Sequence, residues 1–348
     1  MSGVYLQTCF NRHSRLLAAL SVAACAVILP APTTLAQAGS RPVQYFDSPQ
    51  TFYYSLNGSA PGISSARAIE PLAPAGLLAL APTARYVLWV ELEQGRLNVM
   101  ENLGDGGIVV RKRIPVSIGK QGIGKRSEGD NKTPIGVYRL REFLADGVLD
   151  DFYGSGAWPL DYPNALDQLH ERTGHGIWLH GLPKVERQRP FLTSEGCVII
   201  DNDSLVALGD EVEGGVMMVL SPRELRWVSL QQQHQQRRSL QQVLQDWETA
   251  WESRDSERYL AFYSDDFSDL RRDKAAWSAY KREVNGIKRS IEVAVSDVNM
   301  VVEPGQQEVV NVTFRQQYDS DNYRWQGSKQ QLWRWEAGGW KIIYEGNY

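Results

Sequence analysis

Two short runs, Ile177-Trp178-Leu179-His180-Gly181 and Leu192-Thr193-Ser194-Glu195-Gly196-Cys197-Val198, decide how this chain of 348 residues is read. Each sets a reactive side chain beside a short apolar stretch of strand character. A cysteine nucleophile needs a base within hydrogen-bond reach and donors for the oxyanion of a tetrahedral intermediate. Two adjacent strand ends can bring His180 against Cys197 despite the chain between them. Gly196 lets the backbone approach a substrate carbonyl closely. A neighbouring imidazolium would lower a thiol from its usual value near ~8.5. The residues alone leave a second reading open, a buried strand cysteine with an unrelated histidine nearby.

Strand signals surround these runs. Tyr86-Val87-Leu88-Trp89-Val90 is β-branched and aromatic, Arg96-Leu97-Asn98-Val99-Met100 alternates, and Gln94-Gly95 turns between them as a hairpin. Residues 109–118, 136–140, 176–180, 196–200 and 216–220 continue the pattern. A short helix over 203–208 is entered through Asp201 or Asn202 as cap. Pro222 closes this β-rich region. The polar run 231–236 then reads as an exposed helix or linker. Leu240, Val243, Leu244, Trp247, Ala250 and Trp251 fall on one face of an amphipathic helix. Strands follow over 291–295, 309–314, 323–327 and 331–335, and a last hairpin sets Trp333 and Trp335 across from Trp340, Ile342 and Tyr344. Helices followed by a long antiparallel sheet make this a separate α+β unit. The expected organisation is a signal peptide over 1–38, a partly irregular lead-in over 39–84, a catalytic domain over 85–221, a helical linker over 222–239 and the α+β unit over 240–348.

The lead-in is rich in Ala, Pro, Gly and Ser, with Phe46, Phe52, Tyr53 and Tyr54 expected to pin it on a neighbouring surface. Before it, Arg12, His13 and Arg15 precede an apolar run over 16–29, and small residues around Ala36 and Ala38 suit a signal peptidase. The run is shorter than the ~20 residues of a membrane-spanning helix. Export to the periplasm with cleavage is the expectation, beside a lipid anchor at Cys25 or an uncleaved anchor. Cleavage removes Cys9 and Cys25 and leaves Cys197 as the only one of three cysteines, in a compartment that oxidises thiols. Such a thiol is buried, paired between molecules or catalytic. A net charge of -4 gives no electrostatic reason to expect nucleic acid. The histidines form no H-E-x-x-H or comparable cluster, so neither a metal nor another cofactor is expected.

H-G followed by S-x-G-C resembles the signature of L,D-transpeptidase (YkuD-type) catalytic domains. Ser117-Ile118-Gly119-Lys120 and Gly129-Asp130-Asn131-Lys132-Thr133-Pro134-Ile135-Gly136-Val137-Tyr138 are similar to that family's upstream blocks, in the same order. The likeness covers roughly residues 85–220. It implies a mainly β domain, an L,D-transpeptidase-type β-sandwich with short helices. It also implies peptidoglycan stem peptides as substrate, Cys197 as nucleophile and His180 as base. Gly196, Ser194 and Gly181 would then serve the oxyanion or position the pair, with His175, Trp178 and Glu195 along the substrate groove. The Gly129–Tyr138 block reads mainly as a turn into a strand, with Asp130 or Thr133 as lesser groove candidates. Glu195 stands where the commonest family form has histidine. That departure resembles a branch that hydrolyses as well as crosslinks, and leaves the acceptor of the acyl group open between amine and water. The C-terminal region resembles the nuclear transport factor 2-like (SnoaL-like) cone, which implies a small-ligand or protein site or a homodimer contact. A different class, a wall-binding scaffold with a dead catalytic domain, is disfavoured by the intact H-G and S-x-G-C elements.

Overall fold

A computed structural model describes residues 72–348 apart from 105, 106, 187, 213, 214 and 307. The expected leader, its two cysteines and the aromatic residues 46–54 lie outside these. Strands Tyr86–Glu91 and Arg96–Asn102 form the expected hairpin, turning through Gly95 at φ 61°. Alternation sorts their side chains: Leu88, Val90, Leu97 and Val99 enter one core, and Val87, Trp89 and Met100 enter another. Ile108–Pro115 extends the hairpin on one side. On the other, Met217–Ser221 pairs in parallel with Tyr86–Glu91, and Gly136–Arg139 completes a five-stranded sheet.

The first face packs on a second sheet ordered Val198–Ile199, Trp178–His180, Gly156–Pro159 and Leu144–Ala145. Trp158, Leu179 and Val198 fill the space between the sheets, and Leu205 and Leu208 close it from helix Asn202–Gly209. Asp201 caps that helix by accepting the Ser204 amide at 2.8 Å. This is the expected β-sandwich with short helices.

The C-terminal unit is α+β, as expected. Its sheet runs Gly339–Asn347, Tyr323–Glu336, Val309–Ser320, Ile291–Val302 and Leu77–Ala79. Leu240, Leu244, Trp247 and Trp251 of helix Leu230–Glu252 pack on Val293, Val312, Phe314 and Trp333 of that sheet. Helix Lys274–Gly286 contributes Trp277 to the same core. Sequence reasoning did not place this helix, although Asp273 caps it through the Ala276 amide at 2.8 Å.

Two boundaries differ from expectation. The polar run 231–236 is helical, as one of its two readings had it, but it opens the continuous helix Leu230–Glu252 and does not end at 239 as a separate linker. Among those glutamines, Gln233 is buried and donates to the carbonyls of Pro74 (3.2 Å) and Leu77 (2.7 Å). The end of the lead-in is ordered: Leu72–Pro74 pairs with Trp227–Ser229, and Leu77–Ala79 pairs with Ile291–Val302. Both strands are three residues long, too short to display a period.

Leu77 and Val301 of the C-terminal sheet cover Trp89, Met100 and Val219 on the outer face of the catalytic sandwich. A second contact packs Leu166 against Val309, Leu332, Ile343 and Tyr344. Between them, the Glu303 carboxylate is 1% exposed and accepts from the Val137 amide (3.2 Å) and Asn311 Nδ2 (3.0 Å). Burial pushes its pKa up to about 8 against the Asn311 hydrogen bond. The folded state therefore holds a proton that the unfolded chain releases near 4.5. This contribution to stability is full below that value and is lost as pH rises to about 8. Glu303→Gln, which cannot titrate, removes it. Urea midpoints at pH 5 and pH 9 should differ less for the variant than for the wild type; equal differences would contradict the assignment.

Candidate active site

The segments that carry His180 and Cys197 are joined by a short sheet contact. Trp178–His180 and Val198–Ile199 pair in parallel, Leu179 opposite Val198 and His180 opposite Ile199. Ile177, Leu179, Val198 and Ile200 all enter the sandwich core. Alternation therefore turns Trp178, His180, Cys197 and Ile199 to the opposite face, the expected nucleophile and the expected base together.

His180 is fully buried, and its Nδ1 lies 2.8 Å from the Gly181 carbonyl oxygen. A carbonyl oxygen only accepts, so Nδ1 carries the proton and Nε2 presents a lone pair. Nε2 is enclosed and has no hydrogen-bond partner among the described residues. Burial, aided by the positive charge of Arg189 and opposed by the Gly181 hydrogen bond, lowers the His180 pKa to about 4. The imidazole is thus neutral at pH 7 and ready to take a proton. Cys197 is half-buried, and its Sγ lies 3.4 Å from the Gly176 carbonyl.

The turn before Cys197 is held from both sides. Gly196 sits at φ 129°, where a Cβ would come 2.7 Å from the Lys132 carbonyl oxygen and 2.8 Å from Ile177 Cδ1. Ser194 is buried, donates to the Cys197 carbonyl at 2.7 Å and accepts the Gly196 amide at 3.1 Å. Thr133 is fully buried; it accepts the Gly119 amide and donates to the Gly196 carbonyl, both at 2.9 Å. The Gly196 amide is thereby engaged by Ser194, which makes Gly196 a geometric element of this turn. Thr133 lies beneath the turn, away from any groove. Asp130 organises the loop leading to it, accepting from Lys125 Nζ (2.8 Å) and the amides of Arg126 (2.8 Å), Ser127 (3.1 Å) and Lys132 (3.1 Å). Against the upward push of burial, these donors hold its carboxyl down at about 2.

Other anticipated residues divide. The Gly181 carbonyl anchors Nδ1 of His180, while its amide points at the carbonyls of Tyr153 and Gly156. A side chain there would strike Asn202 Oδ1. Trp178 lies in the site and stacks on Tyr153 with ring centroids 4.6 Å apart. Glu195 is exposed and pairs with Lys120 at 3.2 Å, at the edge of the same turn. His175 is exposed beside Glu128 at 3.5 Å, on the surface. Among the described residues, no group of histidine, cysteine and carboxylate side chains is placed to hold a metal.

Sequence reasoning missed the cover over His180. Phe152 and Tyr153, on a single 3-10 turn Asp151–Tyr153, bring their rings to 5.7 Å and 5.2 Å from the imidazole. Asn202 ties this segment to the chain after the base, accepting the Ser155 amide (2.8 Å) and donating to the Leu182 carbonyl (2.9 Å). Arg189 stands over Phe152, 5.7 Å from the ring centre. The only available signal was a pair of aromatic residues in a stretch with no period.

Two outcomes follow from this geometry. Gly196→Ala forces a Cβ onto backbone at a φ that disfavours it, so the turn must shift. A displacement of about 1 Å costs on the order of 100-fold in turnover, which steady-state kinetics on the folded variant should show; unchanged turnover would contradict the clamp. The acid limb of the pH profile of kcat/KM should bend nearer 4 than 6.5, since the base stays neutral through that interval. A bend at or above 6.5 would show that His180 is not held as described.

Comparison with known proteins agrees with this architecture. Residues 85–220 match the L,D-transpeptidase catalytic domain, and residues 239–346 match a Cds6 C-terminal NTF2-like domain. No curated protein sequence matches the chain. Among solved structures, Bd1075 of Bdellovibrio bacteriovorus is similar at 30% identity and a TM-score of 0.68, covering 80% of this chain and 98% of its own. The helical cell shape determining protein Pgp2 of Campylobacter jejuni is similar at 26% identity and a TM-score of 0.65, covering 75% and 91%. The chain belongs to the L,D-transpeptidase (YkuD-type) family, in the form that joins this catalytic domain to a C-terminal NTF2-like domain.

Proposed function

We propose that this protein is a periplasmic peptidoglycan acyl-transfer enzyme acting at the bond between meso-diaminopimelate and D-alanine in tetrapeptide stems. The observation that carries the proposal is the placing of Cys197 and His180 on one face, with Nδ1 anchored and Nε2 left as acceptor. His180 takes the Cys197 proton, and Sγ bonds to the carbonyl carbon at the L-centre of diaminopimelate. The carbon–nitrogen bond then breaks as His180 returns the proton to the departing D-alanine amine. A thioester remains on Cys197. An acceptor N–H or O–H gives its proton to His180, its nitrogen or oxygen takes the acyl carbon, and the thiol is restored.

Two acceptors divide the activity. An amine of another stem makes this a transpeptidase; water makes it an L,D-carboxypeptidase. The enclosure of His180 beneath Phe152 and Tyr153 favours water, the smaller acceptor. The likeness to a helical cell shape determining protein supports a role in cell shape. Sacculi and stem peptides should yield tripeptide stems and free D-alanine on digestion. New 3-3 crosslinks without free water-derived tripeptide would instead assign the amine. A carbapenem should add its mass to the wild type and not to Cys197→Ala. Absence of both adduct and product would sink the enzyme reading in favour of a wall-binding scaffold.

A further inference from the structure

One cation near the site keeps an enclosed donor without a partner among the described residues. Arg189 lies on the segment between His180 and the Cys197 turn, with its side chain 15% exposed. Glu186 pairs with its Nε at 3.3 Å. One terminal nitrogen, Nη1, is enclosed and has no hydrogen-bond partner among the described residues. A guanidinium donor kept from water without an acceptor is costly, and a carboxylate is its best partner, meeting the planar fork with paired charge-assisted bonds. Phe152 lies between it and the base, its ring 5.7 Å from the guanidinium carbon and 5.7 Å from the imidazole. The backbone beyond is pinned, since the Phe191 carbonyl accepts the Ile118 amide at 2.8 Å.

Resting on the acyl-transfer reading above, we infer that Arg189 is a specificity residue that receives the free α-carboxylate of the departing amino acid. His180 protonates the leaving nitrogen, and that nitrogen is one carbon away from the terminal carboxylate. A group bound on the base's side of the site is therefore on the leaving side of the scissile bond. Nε2 of His180 and Nη1 of Arg189 are both enclosed around the Phe152 ring, so displacement of that ring by the leaving residue uncovers both. The site thereby selects stems that end at the residue being removed. Linkages in which that carboxylate is amidated or extended lack the partner.

The test compares a tetrapeptide stem with its C-terminal carboxamide, using the full chain and its Arg189→Gln and Arg189→Lys variants. The wild type should favour the acid by about 10- to 100-fold in kcat/KM. Arg189→Gln should lose that preference, the acid-to-amide ratio of kcat/KM falling toward one, while any effect through the His180 pKa acts on both substrates alike. Arg189→Lys, which keeps charge without the fork, should fall between. Equal losses on both substrates, or no preference in the wild type, would overturn the inference while leaving the acyl-transfer reading intact. Release of D-alanine from neither substrate by the wild type would remove both.

Discussion

A parallel ladder of two residue pairs, Leu179 with Val198 and His180 with Ile199, is the constraint on which the site depends. Parallel strands cannot be joined by a tight turn, so a long connection must leave one and return to the other. That connection carries Gly181, Asn202's partner Leu182, and Arg189, and it ends in the Ser194–Cys197 turn. So short a ladder would not hold alone. Its apolar alternates are locked in the sandwich core, and the reactive side chains inherit their direction from that packing.

The polar residues around the pair act mostly on backbone. Thr133 spans the Gly119 amide and the Gly196 carbonyl, and Ser194 engages both the Gly196 amide and the Cys197 carbonyl. Each is a short hydroxyl that donates and accepts at once, which fits a buried turn where every main-chain group needs a partner. Gly181 supplies the same economy at the base, using one carbonyl to fix the tautomer. The burial that lowers the His180 pKa comes in part from the Phe152 and Tyr153 rings, so the electrostatics of the imidazole and its enclosure share one cover.

Much of this was legible in the sequence. The hairpin at Tyr86–Asn102 and the helix with Leu240, Leu244 and Trp247 declared themselves by period, and the H-G and S-x-G-C runs by spacing. What escaped had no period to show. Gln233 is one buried residue in a run of glutamines, indistinguishable until the carbonyls of Pro74 and Leu77 come to it. Thr133 read as turn chemistry, and only the fold shows that its hydroxyl reaches the nucleophile's turn. Phe152, Tyr153 and Arg189 belong to the site through loop paths, and Glu195 and His175 face solvent despite standing next to residues that do not.

The strands at Leu72–Pro74 and Leu77–Ala79 carry a consequence for the order in which the molecule can be made. They leave the ribosome ahead of the whole catalytic domain, yet Gln233, which satisfies Pro74, comes 159 residues later, and the Ile291–Val302 partner of Leu77–Ala79 later still. Closing loops of that length is slow compared with local pairing. The outer face of the catalytic sheet, with Trp89 and Val219, is therefore exposed until synthesis is nearly done. A chain interrupted between the two domains would keep Cys197 and His180 and still present an uncovered apolar sheet, so the second domain is coupled to the solubility of the first.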